Sequence, residues 1–326
     1  MSFNPEGSPT TITFKNEPKL SEHEVDRDAN ERRLMLVSEI ERFLRSDELF
    51  AGKDVRVEFS HGGVSSLLSF VEAGEDKYVL KIPLNPASEG EAAFLKEWES
   101  LGVRVPHVYR EGRIADNPYI LMQYIDAPTL EKKINEGLAT ENAFLEMGKT
   151  LARMHLAKTK EYGRIVQGRP EHATFEDWIR HRLENRIKKA REYDVLNEDH
   201  GSLDKAIDVL VSYVEKQQGS SYCHGDFTAD NVLTTEPLTV IDPNPSYNDG
   251  IIDLGLTIVR EVAKGHKADE IVRGYFDGTE NFDVRVLQAA VIVGFYGMRP
   301  YWHERNRAKK IRDTQKYLVE RAHLLR

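Results

Sequence analysis

The decapeptide HGDFTADNVL, residues 224–233, places an imidazole, two carboxylates and an amide on one short polar stretch that runs into apolar residues. Eleven residues after Asn231, the apolar run LTVI ends in Asp242. Carboxylate and amide oxygens are hard ligands that suit a magnesium ion. A further carboxylate beside them, Asp226, could orient an attacking hydroxyl. That combination suits phosphoryl transfer, which also needs a cation on the phosphates and a place for the nucleotide. Lys81 in YVLKIP is the candidate cation, with Glu91 in GEAAFLKEW as its counter-charge and Glu97 as a second choice. The loop SHGGVSS, with Gly62, Gly63 and Ser65, could fold backbone N–H groups over phosphates. Each feature alone has a plainer reading: most strand lysines face water, Asp-Pro starts turns, and two glycines serve any hairpin.

These groups need elements to hold them. Leu36, Ile40, Phe43 and Leu44 recur at helical spacing. Val55, Val57 and Phe59, then Tyr78, Leu80 and Ile82, alternate as strands of a hairpin-rich antiparallel region. SEGEAAFLKEWESLG reads as a helix with a Ser88 cap and a glycine stop, and PYILMQYI as a buried strand over 118–125. Beyond residue 126 the pattern is mostly helical, over 141–157, 175–195 and 203–217. Two short strands, near Val232–Leu233 and Leu238–Ile241, interrupt it. Residues 1–21, rich in Pro, Ser, Asn and Glu, read as a loose arm. The expected organisation is α+β, with a small β-rich lobe over 22–125 and a larger helical lobe over 126–326.

Composition narrows the class. The 326 residues are 40% hydrophobic and 30% charged, an ordinary globular balance. The polar start shows no apolar leader, and the longest apolar run, AAVIVGFYGM, is too short to span a membrane. A single cysteine, Cys223, rules out an internal disulfide and fits a reducing cytoplasm. Net charge is −9, yet residues 299–326 carry nine Lys/Arg against three Asp/Glu. Such a tail could touch nucleic acid, but a solvated helix face is the commoner meaning. GKT at 148–150 lacks the glycine that a phosphate-binding loop needs five residues earlier, where Ala143 stands. No Gly-x-Ser-x-Gly elbow accompanies His61-Gly-Gly, and no CxxC or HExxH suggests zinc.

In order and spacing, YVLKIP, GEAAFLKEWESLGVRVPHVY, YILMQYIDAPTL, GKTLARMH, HGDFTADNVL and VIDPNPSYNDGIIDLG resemble the aminoglycoside phosphotransferase and choline kinase group. These are small-molecule kinases with a two-lobed, protein-kinase-like fold. The likeness runs from about Val55 to Leu254. It implies ATP and Mg²⁺ as cofactors, Asp226 as catalytic base, and Asn231 and Asp242 as magnesium ligands. Lys81, held by Glu91, would bind the α- and β-phosphates. Backbone groups of Gln123 and Ile125, after a gatekeeper-like Met122, would meet adenine. His224 and Asp253 would brace the loop. Two departures stand out: Pro243-Asn244 follows the metal aspartate, and Asn248-Asp249-Gly250 replaces a common Gly-Asp-Pro.

The resemblance implies a small hydroxylated acceptor, bound between the catalytic loop and a helical insert over about 160–215. Acidic residues there, among them Glu176, Asp177, Glu184 and Glu192, would suit a polyamine. The aromatics of GFYGMRPYW, Phe295, Tyr296, Tyr301 and Trp302, could instead cage a quaternary ammonium such as choline. The commoner readings are a solvated face for the acidic residues and core packing for most of the aromatics. The basic tail argues for an acceptor with anionic character. A nucleotide-binding regulator without turnover is the non-enzyme alternative; the intact set Lys81, Glu91, Asp226, Asn231 and Asp242 argues against it.

Overall fold

The computed structural model describes residues 10–20, 27–60, 66–84, 90–139, 142–166, 169–192, 200–217, 219–266, 268–278 and 282–321. The chain divides into two compact units, Met1–Lys96 with Pro106–Asp126, and Glu97–Val105 with Ala127–Arg326.

The first unit contains β1 (Thr11–Phe14), α1 (Arg27–Ser46), β2 (Asp54–Phe59), β3 (Ser66–Ala73) and β4 (Asp76–Pro83). It continues through the start of α2 (Glu91–Ser100) to β5 (Val108–Ile114) and β6 (Asn117–Gln123). Its six-stranded sheet runs β1-β2-β3-β4-β6-β5 and is antiparallel except for the parallel β1–β2 pair. Alternation explains the buried face: Val55, Val57 and Phe59 of β2, Leu67 and Val71 of β3, and Tyr78, Leu80 and Ile82 of β4 form one core. Leu36, Ile40 and Leu44 of α1, four residues apart, join that core. Residues 11–14, within the expected loose arm, form an edge strand, because Ile12 and Phe14 pack on the core while Thr11 and Thr13 face out. Ser88, the expected cap of α2, lies outside the described residues.

The second unit carries α3 (Leu130–Asn135), α4 (Ala143–Met154), β7 (Lys158–Thr159), β8 (Tyr162–Val166), β9 (Arg169–His172), α5 (Phe175–Glu192) and α6 (His200–Val214). Then come β10 (Ser220–Cys223), β11 (Val232–Leu233), β12 (Thr239–Val240), β13 (Ser246–Asn248), α7 (Gly250–Val262), α8 (Ala268–Tyr275), α9 (Val284–Glu304) and α10 (Ala308–Arg321). The helical content matches the sequence pattern. A five-stranded sheet, β7-β10-β13-β8-β9, was not expected among the helices. Its strands are only two to five residues long, too short for a period of two to register.

Gly148 explains the GKT tripeptide. A Cβ there would lie 2.1 Å from the Ile271 carbonyl of α8, so the glycine lets α4 and α8 meet backbone to backbone. Lys149 beside it is surface-paired with Glu146 at 3.3 Å and Asp277 at 3.5 Å. No described helix is long and apolar enough to cross a membrane.

Candidate active site

In the first unit, β4 lies between β3 and β6, so from Tyr78 onward it is buried on both faces. That position removes Lys81 from water, and its Nζ lies 2.5 Å from Glu91 Oε2 in the first turn of α2. A buried cation needs such a partner, because desolvating an unpaired charge costs several kcal/mol. Glu97, the second choice, belongs to the other unit. Met122 is buried on β6, and the Gln123 N–H donates to the His107 carbonyl at 2.8 Å. Ile125 follows the end of that strand. Gly62, Gly63 and Ser65 lie outside the described residues.

In the second unit, the stretch 224–231 leaves β10 and turns through Gly225 at φ +70°. A Cβ at that position would meet the Asn244 carbonyl at 2.3 Å, so only glycine permits both the turn and the approach. His224 is fully buried, with its ring stacked on Trp98 at 5.8 Å and 3°. Its Nδ1 accepts the Asp226 N–H at 3.2 Å, which leaves Nε2 to donate to the Ile241 carbonyl at 3.0 Å. These bonds require the neutral ring, and burial pushes its pKa down to about 4.

Asp253, in the first turn of α7, accepts the N–H of His224 at 2.7 Å and of Gly225 at 2.9 Å. His155 Nε2 lies 3.2 Å from the same carboxylate, and its Nδ1 is 2.8 Å from the Tyr275 hydroxyl. Burial alone would raise the Asp253 pKa, but His155 and the Gly225 amide outweigh it and hold the carboxyl below its ordinary value. The Asn231 amide donates to the Asp226 carbonyl at 2.8 Å, and the Asn231 carbonyl accepts the Ile241 N–H at 3.0 Å. Asp242 follows at φ +55°, a left-handed conformation that disfavours any residue with a Cβ by about 1 kcal/mol. Its side chain is exposed. The Asn244 N–H bonds the His224 carbonyl at 2.8 Å, which closes the loop on itself. The structure thus brings His224, Asp226, Asn231 and Asp253 into one hydrogen-bonded arrangement, with Asp242 next to Ile241, which bonds both His224 and Asn231.

Asp226 opens onto a cavity of about 310 Å³ lined also by Thr228, Asp230, Arg260, Lys264, Met298, Tyr301, Trp302, Arg307 and Lys310. Arg260 of α7 makes an ion pair with the Asp226 carboxylate. Lys264, one turn on, contacts Asp230 at 2.7 Å, Glu131 at 3.0 Å and Glu261 at 3.5 Å. Buried Glu261 also accepts the Ala229 N–H at 3.0 Å, fixing the far side of the loop. Arg260, Glu261 and Lys264 had no sequence signal beyond their place eighteen or more residues after Asp242, on a helix that reads as amphipathic.

Several expectations do not fit this geometry. The acidic insert does not line the cavity among the described residues: Glu176 pairs with Arg180 at 2.8 Å, and Asp177 accepts from Thr174 at 2.7 Å. The aromatic cage is also dispersed. Phe295 is buried under Arg299 at 5.8 Å, Trp302 is buried, and Tyr301 carries Arg305 at 4.0 Å. Cys223 is a core residue whose thiol burial holds well above its ordinary pKa. Asp249, left without a role by the sequence, caps α7 by accepting the Ile251 N–H at 2.9 Å.

Comparison with known proteins bears on family and fold. A "probable ketoamine kinase" of Staphylococcus aureus is 25% identical over 186 residues, 52% of this chain and 60% of that protein. One of Synechocystis sp. is 25% identical over 205 residues, 56% of this chain and 64% of that protein. The chain therefore spans less than two thirds of the length of these relatives. In structure, a thermostable mutant of aminoglycoside phosphotransferase APH(4)-Ia, in ternary complex with AMP-PNP and hygromycin B, has a TM-score of 0.61. The match has 15% identity and covers 88% of this chain and 98% of that one, so the two share the protein-kinase-like fold. The model of the phosphotransferase enzyme family matches residues 56–288, well over half of the sequence, and the chain belongs to that family.

Proposed function

We propose that this protein is an ATP- and magnesium-dependent O-phosphotransferase that moves a γ-phosphoryl group to a hydroxyl of a small molecule. One observation carries the reading: Asp226 faces a cavity while its own backbone is tied to Asn231, beside the exposed Asp242 in its left-handed corner. Left-handed non-glycine residues concentrate at functional sites. A carboxylate with an amide oxygen is a hard donor set that fits Mg²⁺ and not a soft metal. The ion, when bound on the phosphates, supplies charge neutralisation during transfer.

The chain's own residues do the rest. Asp226 orients the acceptor hydroxyl and takes its proton as the new O–P bond forms and the bond to the β-phosphate oxygen breaks, releasing ADP. Arg260 pairs with the Asp226 carboxylate and holds it in place. Lys81, fixed by Glu91, binds the α- and β-phosphates. Gln123 and Ile125, beyond Met122, meet the adenine through backbone groups. The relatives named as ketoamine kinases and the aminoglycoside phosphotransferase bound to AMP-PNP and hygromycin B support a nucleotide donor and a small-molecule acceptor.

The test is magnesium-dependent ADP release with a panel of hydroxylated acceptors, in wild type and in Asp226→Asn. Acceptor-stimulated release should fall at least a hundredfold in the variant, the order expected of a lost acid–base group. Retained turnover would remove Asp226 from its assigned role.

A further inference from the structure

We infer that the acceptor is an anion, a small hydroxy compound bearing a carboxylate or phosphate, held by Arg307 and Lys310 while its hydroxyl meets Asp226. The inference rests on the kinase reading above and names the substrate class of that site.

Charge bookkeeping around the cavity carries it. Four cations line the space, Arg260, Lys264, Arg307 and Lys310, against two carboxylates, Asp226 and Asp230. Two of the cations are already compensated. Arg260 pairs with Asp226, and Lys264 sits among Asp230, Glu131 and Glu261. Burial alone would lower the Lys264 pKa, but Glu261 and Asp230 outweigh it, so the ammonium is held. Arg307 and Lys310 make no ion pair among the described residues. Arg307 rests on the Tyr301 ring at 5.8 Å. Lys310 is half-buried, and its pKa is pushed down first by burial and then by Arg307 and Lys264, against the opposite pull of Asp230 and Glu131. Arg307 is exposed and Lys310 half-buried at the edge of this cavity, so an anion bound there would meet both cations.

The same geometry disfavours the cationic alternatives. A polyamine would meet Arg307 and Lys310, the two cavity cations that make no ion pair among the described residues. A quaternary ammonium needs bare aromatic faces, but Arg305 at 4.0 Å and Arg307 at 5.8 Å already occupy Tyr301. Met298 and Trp302 give the cavity an apolar wall suited to a carbon chain. Its volume, about 310 Å³, is at the lower end for ligand sites and fits a molecule of sugar size.

Equilibrium titration of the full chain without nucleotide, at low ionic strength, tests this. The probes are gluconate, glycerol 3-phosphate, sorbitol, choline and kanamycin. We expect at least one anion to bind tenfold or more tightly than sorbitol, gluconate marking a carboxylate site and glycerol 3-phosphate a phosphate site. That binding should weaken at least tenfold in Arg307→Glu and in the milder Lys310→Gln. The inference is overturned if neither anion binds better than sorbitol, if choline or kanamycin binds best, or if both substitutions leave anion binding intact. It is also overturned if MgATP competes with the anion, which would give these cations to the nucleotide. The kinase reading is scored separately on the wild-type chain: absent MgATP binding removes it, whereas MgATP binding with phosphorylation of choline or kanamycin removes only the anionic acceptor.

Discussion

Lowering the pH from 7 to 4 should destabilise the second unit through one residue, His224. Its ordinary pKa of 6.5 falls to about 4 in the fold, chiefly because burial disfavours the imidazolium. Asp253 and Asp242 pull the pKa back up, and Arg260 pushes it further down. Between those two pH values the unfolded chain takes up a proton that the folded chain refuses, so stability is full above pH 6.5 and falls on acidification. A shift of this size corresponds to roughly 3 kcal/mol, at about 1.4 kcal/mol for each pKa unit. Two other buried carboxyls behave differently. Asp253, held below its ordinary 3.8, loses its contribution only beneath that pH, under the His224 window. Asp249, raised by burial, takes up its proton earlier in the fold than in the unfolded chain and so opposes the loss slightly. Urea unfolding followed by tryptophan fluorescence is a suitable assay, because Trp98, Trp178 and Trp302 are the chain's three tryptophans and all lie in the second unit. In His224→Gln, where both side-chain hydrogen bonds have amide equivalents, most of the drop between pH 6.5 and 4 should vanish. An identical pH profile in wild type and variant would refute the assignment of a buried neutral imidazole.

Two further expectations concern stability. Lys81→Met, which takes the ammonium from buried Glu91, should cost about 3 kcal/mol or more. Lys81→Met with Glu91→Leu should recover to within about 1 kcal/mol of wild type. Neither should bind MgATP, so MgATP binding by the stable double variant would show that the pair serves packing alone. Gly225→Ala should cost about 2 kcal/mol, since φ is +70° and the Asn244 carbonyl would lie 2.3 Å from the new Cβ. An unchanged urea midpoint would mean that the two loops separate easily.

The elements that announce themselves in the sequence are those long enough for periodicity to repeat. The α1 face of Leu36, Ile40 and Leu44 and the alternating strands β2 and β4 are of this kind. The sheet of the second unit is not: Ser220–Cys223 and Ser246–Asn248 are short, serine-bearing strands whose pairing is set by the loops around them. The parallel edge strand Thr11–Phe14 was hidden for another reason. A composition rich in Pro, Ser and Asn describes the arm as a whole, while the pairing rests on Ile12 and Phe14 packing on the core and on the Asn16 side chain bonding the Phe59 backbone. Phe14 stacks on Phe59 at 5.7 Å, a long-range contact that no local window contains.

The site divides along the same line. Asp226, Asn231 and Asp242 could be picked out because loops carry few polar residues into a core without a reason, and the Lys81–Glu91 pair followed from a strand lysine near an acidic helix start. The cations could not, since basic residues on helices usually mean a solvated face. Residues 299–326 illustrate the ambiguity: their net positive charge is one number, yet the fold gives its members different tasks. Arg299 covers Phe295, Arg305 covers Tyr301, and among the described basic residues of this stretch only Arg307 and Lys310 border the cavity. What selects them is the turn between α9 and α10, which brings the start of α10 back beside Tyr301 and Trp302. A substrate preference written this way depends on helix placement more than on any motif. Members of one family can therefore share the sequence around the reacting hydroxyl and differ in the charge of the molecule that carries it.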